Sequence, residues 1–494
     1  MIYAGSRYAG IPLTGTLRVP GDKSISHRAV LFSGIAAGTS RLNGVLDSLD
    51  VRSSIEAVKA MGAHVKLNPD GQGGLTGYIT GTTGIPGVDR DSEGATGDAT
   101  GGSGKNHLEI DCGNSGTTAR LLMGILASYD TISILSGDES LSMRPMGRVI
   151  RPLMKMGAII NRADGQCRAC QGKPADALPL VVRGTSGLKG ICYETPMASA
   201  QVKTAILLAG LRACGETCVS EPYKSRDHTE RMLPAYGVPV CVSDLSVTVR
   251  GGARLKACDV AVPGDPSSAA FALVAAALTP GSDITAKGVS LNPTRIGFIN
   301  VMSRMGCDVS VRENNMFGSE PIGDVRVAFQ SGIKAATVAA SEVPSLIDEV
   351  PCLALLAACA SGISVFQGVG ELRVKESNRF DAIIGGLGAL GFRAWGDGDD
   401  IYVEGKGAMQ DGMGRSGHGD GSRGTADAIA GHGDGSRGTA DAMAHIDAKS
   451  DHRLAMTWII AARSLGIDLD ITGSESIAIS YPGFTDDLEG LSER

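Results

Sequence analysis

The sequence predicts an α/β protein of two lobes, each built from three copies of one unit: a polar cluster, an apolar helix and a strand. Three observations carry this. Val19-Pro20-Gly21-Asp22 recurs as Val262-Pro263-Gly264-Asp265. Each copy is followed by small polar residues, an Ala/Leu-rich helical run, a glycine and a β-like run, which marks an internal duplication. Four weaker copies fill the gaps between and after these two. The composition, with 69 glycines and 4% aromatic residues in 494, fits many tight βα connections and some loose insertions.

The units follow in order. The first opens with Pro20-Gly21-Asp22-Lys23-Ser24-Ile25-Ser26-His27-Arg28, then an apolar run over 29–37 and a strand over 39–45. The first turn of a helix has free N–H groups and a partial positive charge, so it favours an anion. Lys23 and Arg28 make this entrance suited to a phosphate or carboxylate, although a solvated cap by Asp22 or Ser24 fits equally. The second unit has Cys112-Gly113-Asn114-Ser115-Gly116-Thr117-Thr118-Ala119-Arg120 before a helix over 121–128 and a strand over 131–135. Gly116 allows close approach to the backbone, and Thr117 adds a hydroxyl. The third has Met197-Ala198-Ser199-Ala200-Gln201 before a helix over 202–211 and a strand over 217–220. The fourth starts at Val262 and ends in a strand over 282–289. In the fifth, Pro344-Ser345-Leu346-Ile347-Asp348-Glu349 precedes a helix over 350–360 and a strand over 364–367. In the sixth, Asp451-His452-Arg453 precedes a helix over 454–464 and a strand over 468–472.

A boundary near 262 places residues 21–262 in one lobe and 263–494 in the other. Residues 1–20 return to the latter, because the two Val-Pro segments would be paired crossings. Six helix entrances facing inward would give a cleft of positive potential. Residues 69–106 and 406–446 fall outside the pattern and read as flexible Gly-rich insertions, since such composition buries too little apolar surface to offset ordering entropy. The second holds a tandem repeat, residues 417–430 copied at 431–444 with only Ile429 changed, to Met443.

Lys plus Arg total 46 against 53 Asp plus Glu, a net charge of −7, which argues against general nucleic-acid or anionic-membrane binding. The Arg-Gly segments of the tandem repeat have no aromatic residue to stack bases. No apolar run is long enough for a transmembrane helix, and residues 1–10 lack the pattern of a secretion signal. The eleven cysteines are scattered. Cys167 and Cys170 form a lone CxxC without a second ligand pair, so two loop thiols in a reducing cytoplasm are expected, with no metal.

Three further segments carry chemistry. Pro145 holds Arg144 out of the helix that follows. Lys375 and Arg379 are four apart and would share a helical face, with Glu376 beside them for proton transfer. Asp348 and Glu349 sit in an otherwise apolar run, where a carboxylate is costly unless partnered or working.

Together these segments resemble the EPSP synthase (3-phosphoshikimate 1-carboxyvinyltransferase) family of enolpyruvyl transferases. The resemblance is carried by 21–28, Gly113-Asn114-Ser115-Gly116-Thr117, Arg144-Pro145-Met146, Ser199-Ala200-Gln201-Val202-Lys203, Arg226-Asp227-His228-Thr229-Glu230, Arg373-Val374-Lys375-Glu376 with Arg379, and Asp451-His452-Arg453. They run in order along nearly the whole chain. The resemblance implies a two-lobed inside-out α/β barrel of six βαβαββ units. It implies transfer of the enolpyruvyl group of phosphoenolpyruvate to the 5-hydroxyl of shikimate 3-phosphate by a cytoplasmic monomer that needs no cofactor. Lys23, Ser24, Arg28, Ser199, Ala200, Gln201, Arg226, Asp348 and Lys375 would hold shikimate 3-phosphate. Lys23, Gly116, Arg144, Gln201, Arg379 and Arg453 would hold phosphoenolpyruvate. Asp348 would be the base, Glu376 the proton donor, and Lys23 would stabilise the bridging or leaving phosphate oxygen. Sensitivity to the phosphoenolpyruvate mimic glyphosate follows from the room beside Gly116.

Two departures from the family pattern stand out. Ile479 occupies the position before Ser480-Tyr481-Pro482 where some members carry a lysine, and Ala200 replaces a serine of a Ser-Ser-Gln motif. The competing readings are the sister enzyme that uses UDP-N-acetylglucosamine, whose Lys-Asn pair is Lys23-Ser24 here, and a non-catalytic binding protein of the same fold.

Overall fold

A computed structural model describes residues 1–71, 73–82, 84–85, 107–163, 174–317, 320–407 and 443–492. Six inner helices form at the six predicted places: Lys23–Ile35, Gly116–Ala127, Ala200–Gly210, Pro266–Leu278, Val350–Ala358 and His452–Leu465. Four start two to six residues earlier than their apolar runs, because the polar entrance residues form the first helical turn. Asp22, Ser115, Ser199, Asp265 and Asp451 cap five of them, each side chain accepting a backbone N–H from the first turn. Only the helix Val350–Ala358 has no side-chain cap; Glu349 occupies its N-cap position.

The six inner helices are almost wholly buried, and the apolar core divides into two clusters. One draws on Tyr3 to Val19 and Ala269 to Leu491, the other on Ile25 to Val262. Six small sheets surround these clusters, five of four strands and one of three among the described residues. The repeating unit is clearest in the second copy. Strand Leu108–Asp111 leads into the inner helix and then Ile132–Ser136, its parallel neighbour. An outer helix, Gly147–Met156, and the antiparallel strands Ile159–Arg162 and Leu180–Arg183 complete it. The sixth unit ends differently. Ala444–Asp447 and Asp468–Thr472 pair in parallel, and the third strand is Ile2–Ala4 from the other end of the chain.

The lobes exchange their entry strands. Thr14–Leu17, which leads into the first inner helix, pairs with Asp283–Ser290 in the opposite half. Val260–Ala261, which leads into the fourth, pairs with Thr39–Leu46. The two crossings lie side by side: Asp22 N donates to Pro263 O at 2.7 Å and Asp265 N to Pro20 O at 2.8 Å. Gly21 is required there, since a Cβ would meet the Gly44 carbonyl oxygen at 2.1 Å.

Both predicted insertions were drawn too wide. Residues 74–80 form a strand, Gly74–Thr80, central to its sheet. Its glycines reflect close packing rather than looseness: a Cβ on Gly77 would meet the Lys66 carbonyl oxygen at 2.0 Å. Lys406 closes the strand Asp400–Lys406, and Ala444, the last residue of the tandem repeat, begins the strand Ala444–Asp447. Residues 417–442 of the repeat, residues 86–106 and the Cys167/Cys170 pair lie outside the described residues.

Candidate active site

A cleft of about 480 Å³ opens where the helix entrances converge. Its wall includes residues from all six: Lys23 and Ser24, Gly116 and Thr117, Ser199 to Gln201, Asp265, Asp348, and His452 with Arg453. Nine cationic side chains line it against six carboxylates, so a chain of net charge −7 has concentrated positive charge here. Of the predicted site residues, Lys23, Ser24, Arg28, Gly116, Arg144, Ser199, Ala200, Gln201, Arg226, Asp348, Lys375, Glu376 and Arg453 face this cleft. Arg379 does not. It is fully buried behind the wall, enclosed by carboxylates.

On one side, Arg28 is buried and held by neutral acceptors. Its Nε donates to Thr229 Oγ1 at 2.8 Å, and its terminal nitrogens donate to Thr204 Oγ1 at 2.8 Å and Ser24 O at 3.0 Å. Burial without a directly bonded carboxylate pushes its pKa down to about 10. Arg120 is similar, donating to Gln201 Oε1 at 2.7 Å, and burial together with Arg144 and Arg148 lowers it to about 10. Gln201 donates in turn to Thr117 Oγ1 at 2.9 Å. Lys23 Nζ pairs with Asp50 at 2.6 Å.

The opposite side is a lattice of ion pairs. Asp348 is contacted by Arg226, by Arg379 at 3.3 Å and by Arg453 at 3.4 Å. Burial alone would raise the pKa of its carboxyl, but these arginines and Lys375 hold it well below the usual range. Glu376 pairs with Arg379 and lies 3.9 Å from Arg144; these cations outweigh burial and hold it low too. Arg379 donates through Nε to Asp451 Oδ2 at 2.7 Å. Burial would lower its pKa, yet Asp451, Glu376 and Asp348 raise it.

The shared helical face expected for Lys375 and Arg379 does not exist. Lys375 closes a 3-10 turn, Gly370–Val374, and the helix Arg379–Ala389 starts afresh, with the Asn378 side chain accepting from Asp381 N. The break carries Lys375 to the cleft wall and Arg379 behind it. Arg144 has extended backbone, outside the helix Gly147–Met156. Ile479 is absent from the wall, whereas Arg120, Arg148, Asp50 and Arg295, none singled out from sequence, are on it. Arg120 sits one helical turn after Gly116, a spacing that gives a sequence signal for both facing one ligand.

The family model for EPSP synthase (3-phosphoshikimate 1-carboxyvinyltransferase) matches residues 8–74 and 87–488. The 3-phosphoshikimate 1-carboxyvinyltransferases of Bacillus licheniformis and Bacillus subtilis are each 40% identical over 483 residues, covering 98% of both chains. The EPSP synthase structure from Acinetobacter baumannii superposes with a TM-score of 0.74 at 36% identity, covering 97% of this chain and 96% of that one. The enolpyruvyl transferase NikO from Streptomyces tendae, at 17% identity and a TM-score of 0.68, shares the fold. The six-unit fold, the cleft at the helix entrances and these relatives agree, and the chain belongs to the EPSP synthase family.

Proposed function

We propose that the chain transfers the enolpyruvyl group of phosphoenolpyruvate to the 5-hydroxyl of shikimate 3-phosphate and releases phosphate. The observation that carries this reading is the cationic cleft around Asp348 and Glu376, two carboxylates held ionised among arginines. Each substrate brings a phosphate and a carboxylate, which such a cleft would compensate. Ser24, Arg28, Ser199, Ala200, Gln201 and Arg226 would take the shikimate phosphate side, with Asp348 and Lys375 at the ring hydroxyls. Gly116, Arg144, Gln201, Arg379 and Arg453 would take phosphoenolpyruvate, with Lys23 between both substrates.

The reaction is an addition followed by an elimination. The 5-hydroxyl oxygen bonds to C2 of phosphoenolpyruvate and loses its proton, while C3 gains one, giving a tetrahedral ketal. Loss of a proton from C3 and of phosphate then forms the product. Without substrate, Asp348 is a weak base because Arg226, Arg379 and Arg453 crowd it. Substrate phosphate and carboxylate would draw Arg226 and Arg453 away and raise its basicity, so that binding itself arms the base. Glu376, ionised beside Arg379 and Arg144, would deliver a proton to C3 only after taking one up as the substrate's anions draw those arginines off it, and Arg379 would reach phosphoenolpyruvate only by exchanging its carboxylate partners. Lys23 would neutralise the departing phosphate oxygen. The lobes 1–20 plus 263–494 and 21–262 would close over the substrates and expel water. The working form would be a cytoplasmic monomer, inhibited by glyphosate in competition with phosphoenolpyruvate.

Phosphate release measured with each acceptor tests the assignment. Turnover with shikimate 3-phosphate and none with UDP-N-acetylglucosamine is expected; the reverse would refute it.

A further inference from the structure

The segment Arg226-Asp227-His228-Thr229-Glu230 supplies one arginine to the cleft, yet its other four residues are buried away from it. Each has a defined partner. Thr229 accepts from Arg28, and Glu230 pairs with the buried Lys203 at 2.7 Å. Asp227 and His228 reach across to the opposite half of the molecule. Asn292 Nδ2 bridges Asp227 Oδ1 at 2.7 Å and Glu320 Oε2 at 2.9 Å. His228 Nδ1 lies 2.7 Å from Glu320 Oε1, and its Nε2 lies 3.4 Å from an Arg295 nitrogen. The guanidinium has only donors, so Nε2 must accept and Nδ1–H must donate to Glu320. Arg295 also holds Asp22 at 2.6 Å and Asp265 at 2.9 Å, the caps of the two crossings. His228 and Glu320 are buried, so this contact is screened from water.

We propose that His228 and Glu320 are positioning residues: their hydrogen bond across the lobe junction fixes where Arg226, two residues upstream, points into the cleft. Arg226 spans Ser24, at 3.3 Å, and Asp348, in the opposite half. The pair, with Asn292 on Asp227, anchors the chain immediately after Arg226 and so fixes the point from which that side chain reaches into the cleft. The consequence is selective. The pair governs affinity for shikimate 3-phosphate and leaves phosphoenolpyruvate affinity untouched. This rests on the assignment of Arg226 to shikimate 3-phosphate made above.

Calorimetric titration of the full chain with shikimate 3-phosphate tests it, alongside KM for both substrates. Glu320→Ala is expected to weaken binding about tenfold, as loss of a buried hydrogen bond would, while KM for phosphoenolpyruvate stays within about twofold. Glu320→Gln, which still accepts from His228, should restore affinity to within about twofold of the native chain. In an Arg226→Ala background, Glu320→Ala should cost nothing further, because the effect runs through Arg226. Native affinity in Glu320→Ala, an equal loss for both substrates, or an additive loss in the double variant overturns the proposal. Arg226→Ala alone tests the underlying assignment. Unchanged affinity there removes that assignment and the proposal with it, whereas weakened affinity there with native affinity in Glu320→Ala removes the proposal alone.

Discussion

The two walls of the cleft hold their arginines in opposite ways. On the wall from residues 21–262, Arg28, buried, and Arg120, half-buried, lie against threonine hydroxyls, an amide oxygen and backbone carbonyls, and their pKa values fall to about 10. In the half from residues 263–494, Arg295 and Arg379 are wrapped by carboxylates and their pKa values rise. Although Lys23 on the first wall is paired with Asp50, Arg28 and Arg120 keep positive charge that no directly bonded carboxylate has neutralised, so an arriving phosphate gains the full attraction of these two arginines. The second is neutralised internally, and its carboxylates are the groups available for proton transfer. Anion binding and acid–base chemistry thus place contrary demands on an arginine, and the fold assigns each demand to a different half.

The largest effects should come from removing the group that defines each wall's chemistry. Asp348→Ala and Lys23→Met should each lower kcat by at least about a hundredfold in a phosphate-release assay, with circular dichroism unchanged. Near-native rates in both would abolish the division of labour. Next, the arginines themselves can be set against each other by chemical denaturation. Arg379→Gln leaves Asp451 and Asp348 short of a buried counter-charge and should cost about 3 kcal/mol of stability. Arg28→Gln should change stability by less than about 1 kcal/mol, since it removes a buried charge along with neutral hydrogen bonds. Equal losses would mean that the two walls are not electrostatically distinct.

A smaller effect tests the junction between them. Burial, with the Arg295 charge alongside, lowers His228 to about 3, although Asp22 opposes this; burial raises Glu320 to about 7. Folded, the two share one proton between those limits. Unfolded, they would hold one proton between about pH 6.5 and about pH 4.3, so the pair adds little slope across that window. In Glu320→Gln only His228 titrates, and it takes up a proton only on unfolding. The variant should therefore lose stability relative to the native chain as pH falls from about 6.5 to about 4.3, by at most about 1.4 kcal/mol per pH unit. Thermal melts across that range would show a constant gap if the pair does not share a proton. The smallest effect expected is at Gly116. A Cβ there would stand 2.8 Å from an Arg120 nitrogen and 3.5 Å from one of Arg144. Both are flexible tips, so Gly116→Ala should raise KM for phosphoenolpyruvate only about threefold to tenfold, with kcat retained.

How much of this was legible in the sequence follows from the range of each interaction. The inner helices were legible because apolar runs and the polar clusters ahead of them are local signals, with Asp22 offered as a cap of the first. The entrances on the cleft wall were legible through repetition. The strand Gly74–Thr80 was not, because Gly77 reads as looseness until the Lys66 carbonyl is placed against it. The positions of Lys375 and Arg379 were misjudged because spacing alone does not reveal that Asn378 starts a new helix. Asp50, Glu320 and Asn292 were missed for a different reason. Each works only through a partner brought close by the tertiary arrangement, as His228 and Glu320 are from 92 positions apart. The contrast between the walls was out of reach on the same grounds, since threonine and aspartate partners are equally common beside arginines in a sequence.

The exchange of entry strands has a consequence for how the chain is made. Thr14–Leu17 finds its neighbour only when Asp283–Ser290 exists, and Ile2–Ala4 waits for Asp468–Thr472. A growing polypeptide therefore carries its first two strands with open edges through most of its synthesis. Closing such distant pairings is slow and exposes edges to aggregation in the meantime. The half that emerges first, meanwhile, needs Val260–Ala261 to finish the sheet around Thr39–Leu46. Cutting the gene at residue 262 would give the first fragment its own closing strand and leave the second fragment without Ile2–Ala4 and Thr14–Leu17. The second fragment should not fold alone unless residues 1–20 are restored to it, whereas the first fragment can supply them when the two are mixed, which makes this protein a topological clasp rather than two beads on a string.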